Sequence, residues 1–377
     1  MSFTNGDIER LPVNFGGEKK LLTKITLNNV SISKQDWDAH ETSWDFKENE
    51  LIRLQKEGLG EITATIEDSQ VMSYHSLELL MKEYKLYWEE KFRQLHANEE
   101  ELNRQFIKIY GLEDELLPDV PLNEITILQE GEISIEDEKI VWHDDVIIKQ
   151  LISYAIGCIM GRYSLDHKGL ILANQGDGLE QYDAIVSNSR FEPDDDGILP
   201  LMDDNSPFND NAARRMTEWI KIAFGADSQA ENLNFIEAAL SNNQNLAGYL
   251  AKDFWKDHKK MYQHRPIYWL FSSKKGAFRV LVYMHRMDAF TVSKIRNKYL
   301  LPYIEWLKQR INDYMARQAE LSVIERRQLK NYTKQLEECQ EYDIRLHEVA
   351  NQQISIDLDD GVIVNYAKYG DILEKLK

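Results

Sequence analysis

The stretch "HRPIYWLFSSKKGAFRVLVYMHR", residues 264–286, decides how the chain is read. "RPIYWLF" and "AFRVLVYMH" are rich in β-branched and aromatic residues, and "SSKKG" between them carries turn chemistry, so the pattern predicts a β-hairpin. Ile267, Trp269 and Phe271 alternate, which predicts one face turned to a core. The stretch is also basic within an acidic chain of formal net charge −19. Residues 101–250 hold 10 Lys/Arg against 28 Asp/Glu, whereas residues 251–300 hold 12 against 3. Such an island can hold phosphates despite the net charge, because screening acts over about 10 Å at 0.1 M salt. It equally suits a solvated face beside acidic neighbours.

Outward from the hairpin the pattern is helical. From Leu77 to Ile109, apolar residues recur at spacings of three, four or seven, which predicts a long amphipathic helix or a hairpin of helices. "HDDVIIKQLISYAIGCIMGRY" predicts a buried helix closed by Gly161, and "AARRMTEWIKIAF" another within the otherwise loop-rich residues 164–250. Ser33 reads as a helix cap, "GDIERLPVN" as an extended lead-in, and "LPDVPLNEITI" as a turn into a strand. Residues 292–350 are helical with a break near Ala319 and Glu320. Leu329, Tyr332, Leu336, Cys339, Leu346 and Ala350 form a heptad seam, which predicts an antiparallel helical pair. The end reads as a hairpin around Asp360-Gly361 and a short helix. The fold class is therefore α+β: mostly helical, with long amphipathic, coiled-coil-like helices flanking a mixed domain that contains the basic hairpin.

No apolar run reaches the roughly 18 residues of a membrane span; "LISYAIGCIMG" ends at Arg162. "MSFTNGDIER" lacks the basic start and apolar core of a signal peptide, and Cys158 and Cys339 read as buried thiols, so the expected location is cytoplasmic. Neither a dinucleotide-binding G-x-G-x-x-G after a strand nor a P-loop, H-E-x-x-H, Cys-x-x-Cys or G-x-S-x-G occurs. "DLDDG" (Asp357 to Gly361) resembles the start of a calcium loop, but Lys368 stands where the bidentate Glu is needed, so it reads as a turn. "PDDDG" (193–197) reads as an acidic loop. No catalytic, cofactor-binding or metal-binding residue is expected in this chain.

"KDHKKMYQHRPIYWLFSSKKGAFRVLVYMHRMD", "YAIGCIMGRYSLD", "ETSWDF", "ECQEYD" and "IDLDDGVIVNYAKYGDIL" together resemble the C-terminal half of the PglX family, the adenine-specific DNA methyltransferases of BREX phage-defence systems. The similarity runs in order from about Gly6 to Lys377. "GDIERLPV" resembles the segment that leaves the family's methyltransferase domain, whose cofactor loop and N-P-P-Y motif lie upstream. "NSPF" (Asn205 to Phe208) lacks the second proline and is not that motif. The resemblance implies four regions: a tail of the methyltransferase domain (1–20), a helical spacer (21–117), a target-recognition domain (118–300) and a helical hairpin with C-terminal tail (301–377).

On that resemblance the chain recognises double-stranded DNA while a separate domain flips the adenine and binds S-adenosylmethionine. The DNA-contacting residues expected are Lys259, Lys260, Arg265, Lys274, Lys275, Arg279, Arg286, Lys294 and Arg296, because lysine and arginine hold phosphates and arginine also reads guanine. Asn242, Asn243 and Gln244 have the chemistry to read adenine edges, and equally that of a polar loop. The partners implied are DNA, the methyltransferase domain and other BREX subunits, with no membrane. The rival reading is a protein-interaction module that docks onto other defence subunits through its acidic middle and heptad helices. A complete small enzyme is the weakest reading. The chain by itself is expected neither to bind S-adenosylmethionine nor to methylate DNA; tritiated methyl transfer by the purified chain would refute this.

Overall fold

The computed structural model describes residues 19–66, 70–202, 206–240 and 244–376. The lead-in expected over residues 6–14, together with Asn205, Asn242 and Asn243, lies outside them. Helix α1 (Lys19–Asp38) runs straight through Ser33, because no Gly or Pro interrupts residues 19–38; the cap expected there is a mid-helix residue. Helix α2 (Glu50–Lys56) is capped by Asn49, whose Oδ1 accepts from Leu51 N at 3.0 Å. A hairpin of β1 (Glu61–Ile66) and β2 (Gln70–His75) then precedes helix α3 (Leu77–Tyr110). The apolar stripe of α3 forms one unbroken helix rather than two, and Gly111 closes it at φ 64°. Leu77, Leu80, Tyr84, Trp88 and Leu95 are buried, whereas Phe106 is exposed, so the last third of the stripe leaves the core.

The strand expected in "LPDVPLNEITI" falls later in the chain, as β3 (Ile133–Glu136) paired with β4 (Lys139–Trp142) through Asp137 and Glu138, both at positive φ. Helix α4 (Asp144–Ile159) is buried on nearly every side and ends at Gly161 (φ 79°), where a Cβ would meet Leu172 at 2.7 Å. The loop-rich middle contains more helix than its composition predicts: α5 (Leu179–Ile185), α6 (Ala212–Phe224), α7 (Gln229–Ala239), α8 (Leu246–Lys252) and α9 (Phe254–Met261). Only α6 was evident from periodicity. Segments of seven to eleven residues are marginal alone and owe their helicity to packing.

A three-stranded antiparallel sheet of order β5-β7-β6 lies at the centre. It comprises β5 (Ile198–Pro200), β6 (Tyr268–Ser272) and β7 (Arg279–Tyr283), so β7 is the middle strand. Residue 373 bridges to Phe271, and Glu374 N donates to Leu270 O at 2.8 Å, so the C-terminal segment covers the outer edge of β6. Helices α10 (Thr291–Lys294) and α11 (Leu301–Ala316) continue through a π turn at Ile295–Leu300. Helix α12 (Val323–Ala350) returns antiparallel to them, with Arg296 on Asp343, Trp306 on Tyr332 and Arg317 on Glu325. Its seam residues Tyr332, Cys339, Leu346 and Ala350 are buried against this chain's own core. The hairpin expected at Asp360-Gly361 is instead a tight turn, in which Asp357 accepts from Asp359 N, followed by helix α13 (Val362–Ala367). Asn365 donates to the carbonyls of Asp357 and Gly361 and fixes that turn. Lys368 pairs with Asp360 at 3.4 Å, supplying from the chain itself the cation of a false calcium loop.

One contiguous core runs from Ile32 to Leu373. A polar bond ties α1 to β3: His40 Nε2 meets the buried Glu132 carboxylate at 2.7 Å, and His40 Nδ1 meets the Asp36 carbonyl at 2.7 Å. Both partners are acceptors, so both ring nitrogens carry protons. Burial alone would lower the His40 pKa, but the Glu132 bond outweighs it and raises it from 6.5 to about 9. A raised pKa of a cationic group gives stability that is complete below pH 6.5 and lost as the pH passes 9. His40→Ala should therefore cost on the order of 3 kcal/mol at neutral pH, with the gap to wild type narrowing toward pH 10. Urea denaturation of both proteins across that range checks it; a gap independent of pH would mean that the imidazolium is not there.

Candidate nucleic-acid interface

The hairpin is more deeply buried than its alternation predicts. Every residue of β6 is buried, as are four of the five in β7. Trp269 meets the rings of Tyr366 and Tyr369 on one face, while Tyr268 stacks on His258 on the other. Basic residues can therefore reach solvent only at the ends of the hairpin. At its tip, Glu338 of α12 accepts from Ser273 Oγ (2.6 Å), Lys275 N (2.6 Å) and Ala277 N (3.2 Å). That single carboxylate oxygen fixes the turn and leaves the Lys274 and Lys275 side chains exposed.

The nine basic residues singled out above fall into two groups. Arg286 donates to the carbonyls of Met160 (3.4 Å), Asp194 (2.7 Å) and Asp195 (2.8 Å), and burial lowers its pKa. Arg296 forks onto Asp343 at 2.7 and 3.1 Å, and Lys294 pairs with Asp288 at 2.8 Å. Arg279 donates to Ala251 O at 2.5 Å, and Lys259 lies over the Trp255 ring with its ammonium 3.4 Å from Lys375 O. These five are engaged within the fold. Lys260, Arg265, Lys274 and Lys275 are exposed, and their side chains make no hydrogen bond or ion pair among the described residues. Lys260 and Arg265 precede β6 and the two lysines follow it, so residues 266–273 lie between the pairs, and the five of them in β6 span about 16 Å of strand. Gln244 is already engaged by Asp253 at 2.9 Å.

Among the described residues, acidic side chains of the middle pair with basic side chains of the island at one place. Asp194 is buried and its Oδ1 accepts from the backbone N–H groups of Asp196, Gly197 and Ile198. Burial and the neighbouring Asp196 push its pKa up to about 7. Lys298 pairs with Asp195 at 3.1 Å and with Asp196 at 2.7 Å, and Tyr299 donates to Asp196. Among the described residues this is the one acidic trio with its oxygens close enough to share a metal, and the Lys298 ammonium already serves them. Lys274, Lys275 and Arg279 make no contact with it.

Sequence reasoning missed a second polar centre, around Arg162. Its Nε donates to Tyr163 Oη (3.1 Å) and its Nη1 to Tyr283 Oη (3.2 Å), with no carboxylate in ion-pair range among the described residues. Beside it, Glu41 accepts from Ser153 Oγ at 2.6 Å and from Tyr262 Oη at 3.1 Å. His258 Nε2 accepts from Ile267 N and Tyr268 N, both at 3.2 Å, so its proton is on Nδ1. Burial, then Arg162, pushes its pKa down to about 3, which keeps the ring neutral. Glu41, Arg162, His258, Tyr268 and Tyr283 come from "ETSWDF", "YAIGCIMGRYSLD" and the long hairpin segment. The only signal in the sequence was that these polar residues stand within the strings that carry the family resemblance. The arrangement offers rigid positioning; it presents no nucleophile paired with a base.

Over its whole length the chain is 36% identical to the adenine-specific methyltransferase BrxX of Escherichia coli O9:H4 (strain HS). It is 34% identical, over 98% of its length, to the adenine-specific methyltransferase PglX of Lacticaseibacillus casei (strain Zhang). It spans 31% and 29% of those two proteins. No family model matches. The chain is thus a homologue of the PglX and BrxX methyltransferases that corresponds to less than a third of their length. No described helix is long and apolar enough to cross a membrane.

The two groups of basic residues should separate in stability. Arg286→Ala strands three carbonyls and should cost roughly 2–3 kcal/mol, whereas Lys274→Ala and Lys275→Ala should stay within about 0.5 kcal/mol of wild type. Urea melts of the three variants make the comparison; equal effects would mean the Arg286 clasp contributes nothing.

Proposed function

We propose that this chain is the DNA-recognition part of an adenine-specific DNA methyltransferase of a BREX-type defence system, corresponding to the C-terminal part of its relatives. The chemistry then belongs to the part of those proteins outside the matched region, which binds S-adenosylmethionine and takes the adenine out of the duplex. The observation that carries the reading is the pair of free cationic points, Lys260 with Arg265 and Lys274 with Lys275, at opposite ends of a buried, rigid hairpin. Unpaired cations on a fixed support can exchange counterions for phosphates without first breaking internal ion pairs. In this reading these four contact phosphates. Lys259, Arg279, Arg286, Lys294 and Arg296, expected at first to join them, hold the support in shape. The division into tail, spacer, recognition and clamp regions is part of the same proposal. So is a cytoplasmic location, where the DNA is.

Each phosphate contact contributes about −0.9 to the slope of log affinity against log salt. Replacing Lys260, Arg265, Lys274 and Lys275 together by alanine should flatten that slope by roughly 3 to 4 units, equally on specific and random duplexes. Fluorescence-anisotropy titrations across a salt series, with folding checked by circular dichroism, provide the measurement. An unchanged slope in a folded variant overturns the assignment of these four residues, and no duplex binding by the wild-type chain at low salt overturns the reading itself.

A further inference from the structure

The turn after α1 holds an indole that touches almost nothing. Trp44 is 98% exposed, the largest exposure among the large apolar side chains described. Its backbone is nevertheless fixed on both sides. Ser43 is buried, donates to Asp38 at 3.2 Å and accepts from Asp45 N at 3.2 Å. Phe46 is buried edge-on against Tyr154 and Tyr163. Lys34 of α1 binds both Asp38 and Asp45 at 2.7 Å, which draws the turn back along the helix. The backbone that carries the indole is thus already placed, so docking has only the two torsions of the Trp44 side chain left to order.

Helix α1 extends the same surface. At 100° per residue, Leu27, Val30, Lys34 and Trp37 fall within about 80° of one another. Leu27 is 63%, Val30 58% and Trp37 61% exposed, while Ile25 and Ile32 on the other side are buried. The helix thus carries two apolar faces, one packed in this chain and one not. A groove of about 550 Å³ opens beside it, lined by charged residues that include Lys34, Asp38, Asp45, Lys47 and Lys168. An apolar stripe with a polar rim is the anatomy of a protein interface, and tryptophan is among the residues that dominate such interfaces.

We propose that this face packs against the part of the full-length methyltransferase that lies outside the matched region, with Trp44 as the anchor that enters a pocket on it. Three observations select that occupant. The relatives carry more than two thirds of their length beyond the matched part, so in them a large partner for this face is present within the same chain. Trp44 stands in "ETSWDF", one of the segments through which the chain resembles the family. Of the three lysines that line the groove, Lys34 is already held by two carboxylates and Lys168 by Glu48; Lys47 alone is left for a phosphate, so the face is poorly suited to nucleic acid. The inference rests on homology and not on DNA recognition.

The test joins this chain to the unmatched part of the Escherichia coli relative, in that protein's own order, and compares it with the chain alone by hydroxyl-radical footprinting and mass spectrometry. Oxidation of Trp44 should fall at least fivefold on joining, while the exposed Met315 on α11 stays unchanged and the buried Trp269 stays protected, which reports an intact fold. After cleavage at an engineered junction site, the two parts should co-elute for the wild type and separate for Trp44→Ala. If the first graft does not fold, the same graft onto the Lacticaseibacillus casei relative takes its place. Equal oxidation of Trp44 in folded joined and free proteins overturns the proposal. Protection of the free chain by added duplex assigns the face to nucleic acid, and protection that grows with protein concentration assigns it to a second copy; either also overturns it. Failure of the chain to bind DNA would leave this footprint unmoved.

Discussion

Burial of both faces of the β6–β7 hairpin is the constraint around which the other elements are arranged. A strand covered on one side leaves its alternate residues to solvent, but here neither side is free. The tyrosines of α13 and the following turn cover Trp269 and Phe271, α9 covers Tyr268 through His258, and β5 occupies the far edge of β7. The C-terminal segment closes the remaining edge at Phe271. Apart from α9, which immediately precedes the hairpin, these covers are distant from it in sequence, so the sheet joins segments from residue 198 to residue 374 into one body. Large aromatic side chains suit this role because each removes a great deal of apolar surface from water while its polar tip finds a carbonyl, as Trp255 Nε1 does at Tyr268 O.

The same burial governs the charges. A basic strand residue on either face would have to be desolvated, and the fold meets the problem by engaging most of the island's cations before any ligand arrives. Arg286 takes backbone carbonyls rather than carboxylates, which satisfies its donors without placing another full charge in the core. Lys298 answers the acidic loop, whose three adjacent aspartates would otherwise repel one another. What remains exposed is a small, widely spaced set of lysines and one arginine. A chain of net charge −19 can present such points to an anionic partner because the surrounding negative charge is screened within about 10 Å at 0.1 M salt.

The Arg162 centre and the His40–Glu132 pair are the polar counterparts of that core. One holds the turn after α1 against α4 and the end of α9 through Glu41, Ser153 and Tyr262; the other holds the end of α1 against β3 through Glu132 and Gln150. Buried polar groups are costly when unpaired, so a segment whose polar groups are met only in one arrangement is held to it. This is why the turn that carries Trp44 is rigid although its indole touches so little.

Local pattern was enough to read the mostly helical α+β class, the helical apolar stripe of α3 (though not that it is one helix rather than two), the buried α4 with its glycine stop, α6, the antiparallel α11–α12 pair and the hairpin itself. In each, periodicity or turn chemistry acts within a few residues. The basic island was legible too, because charge is a property of composition. The short helices between residues 179 and 252 were not, since their stability comes from what they pack against. The turn at Asp357 to Gly361 was read, but not that Asn365 closes it and a helix follows where composition suggests the second strand of a hairpin. Which cations are free was decided by tertiary structure alone. Lys274 and Arg286 look alike in sequence, but one ends at a turn tip clasped by Glu338 and the other beneath the carbonyls of Met160, Asp194 and Asp195. Those partners lie roughly 60 to 130 residues away, beyond the reach of any local pattern, because a hydrogen bond depends on distance in space and not along the chain.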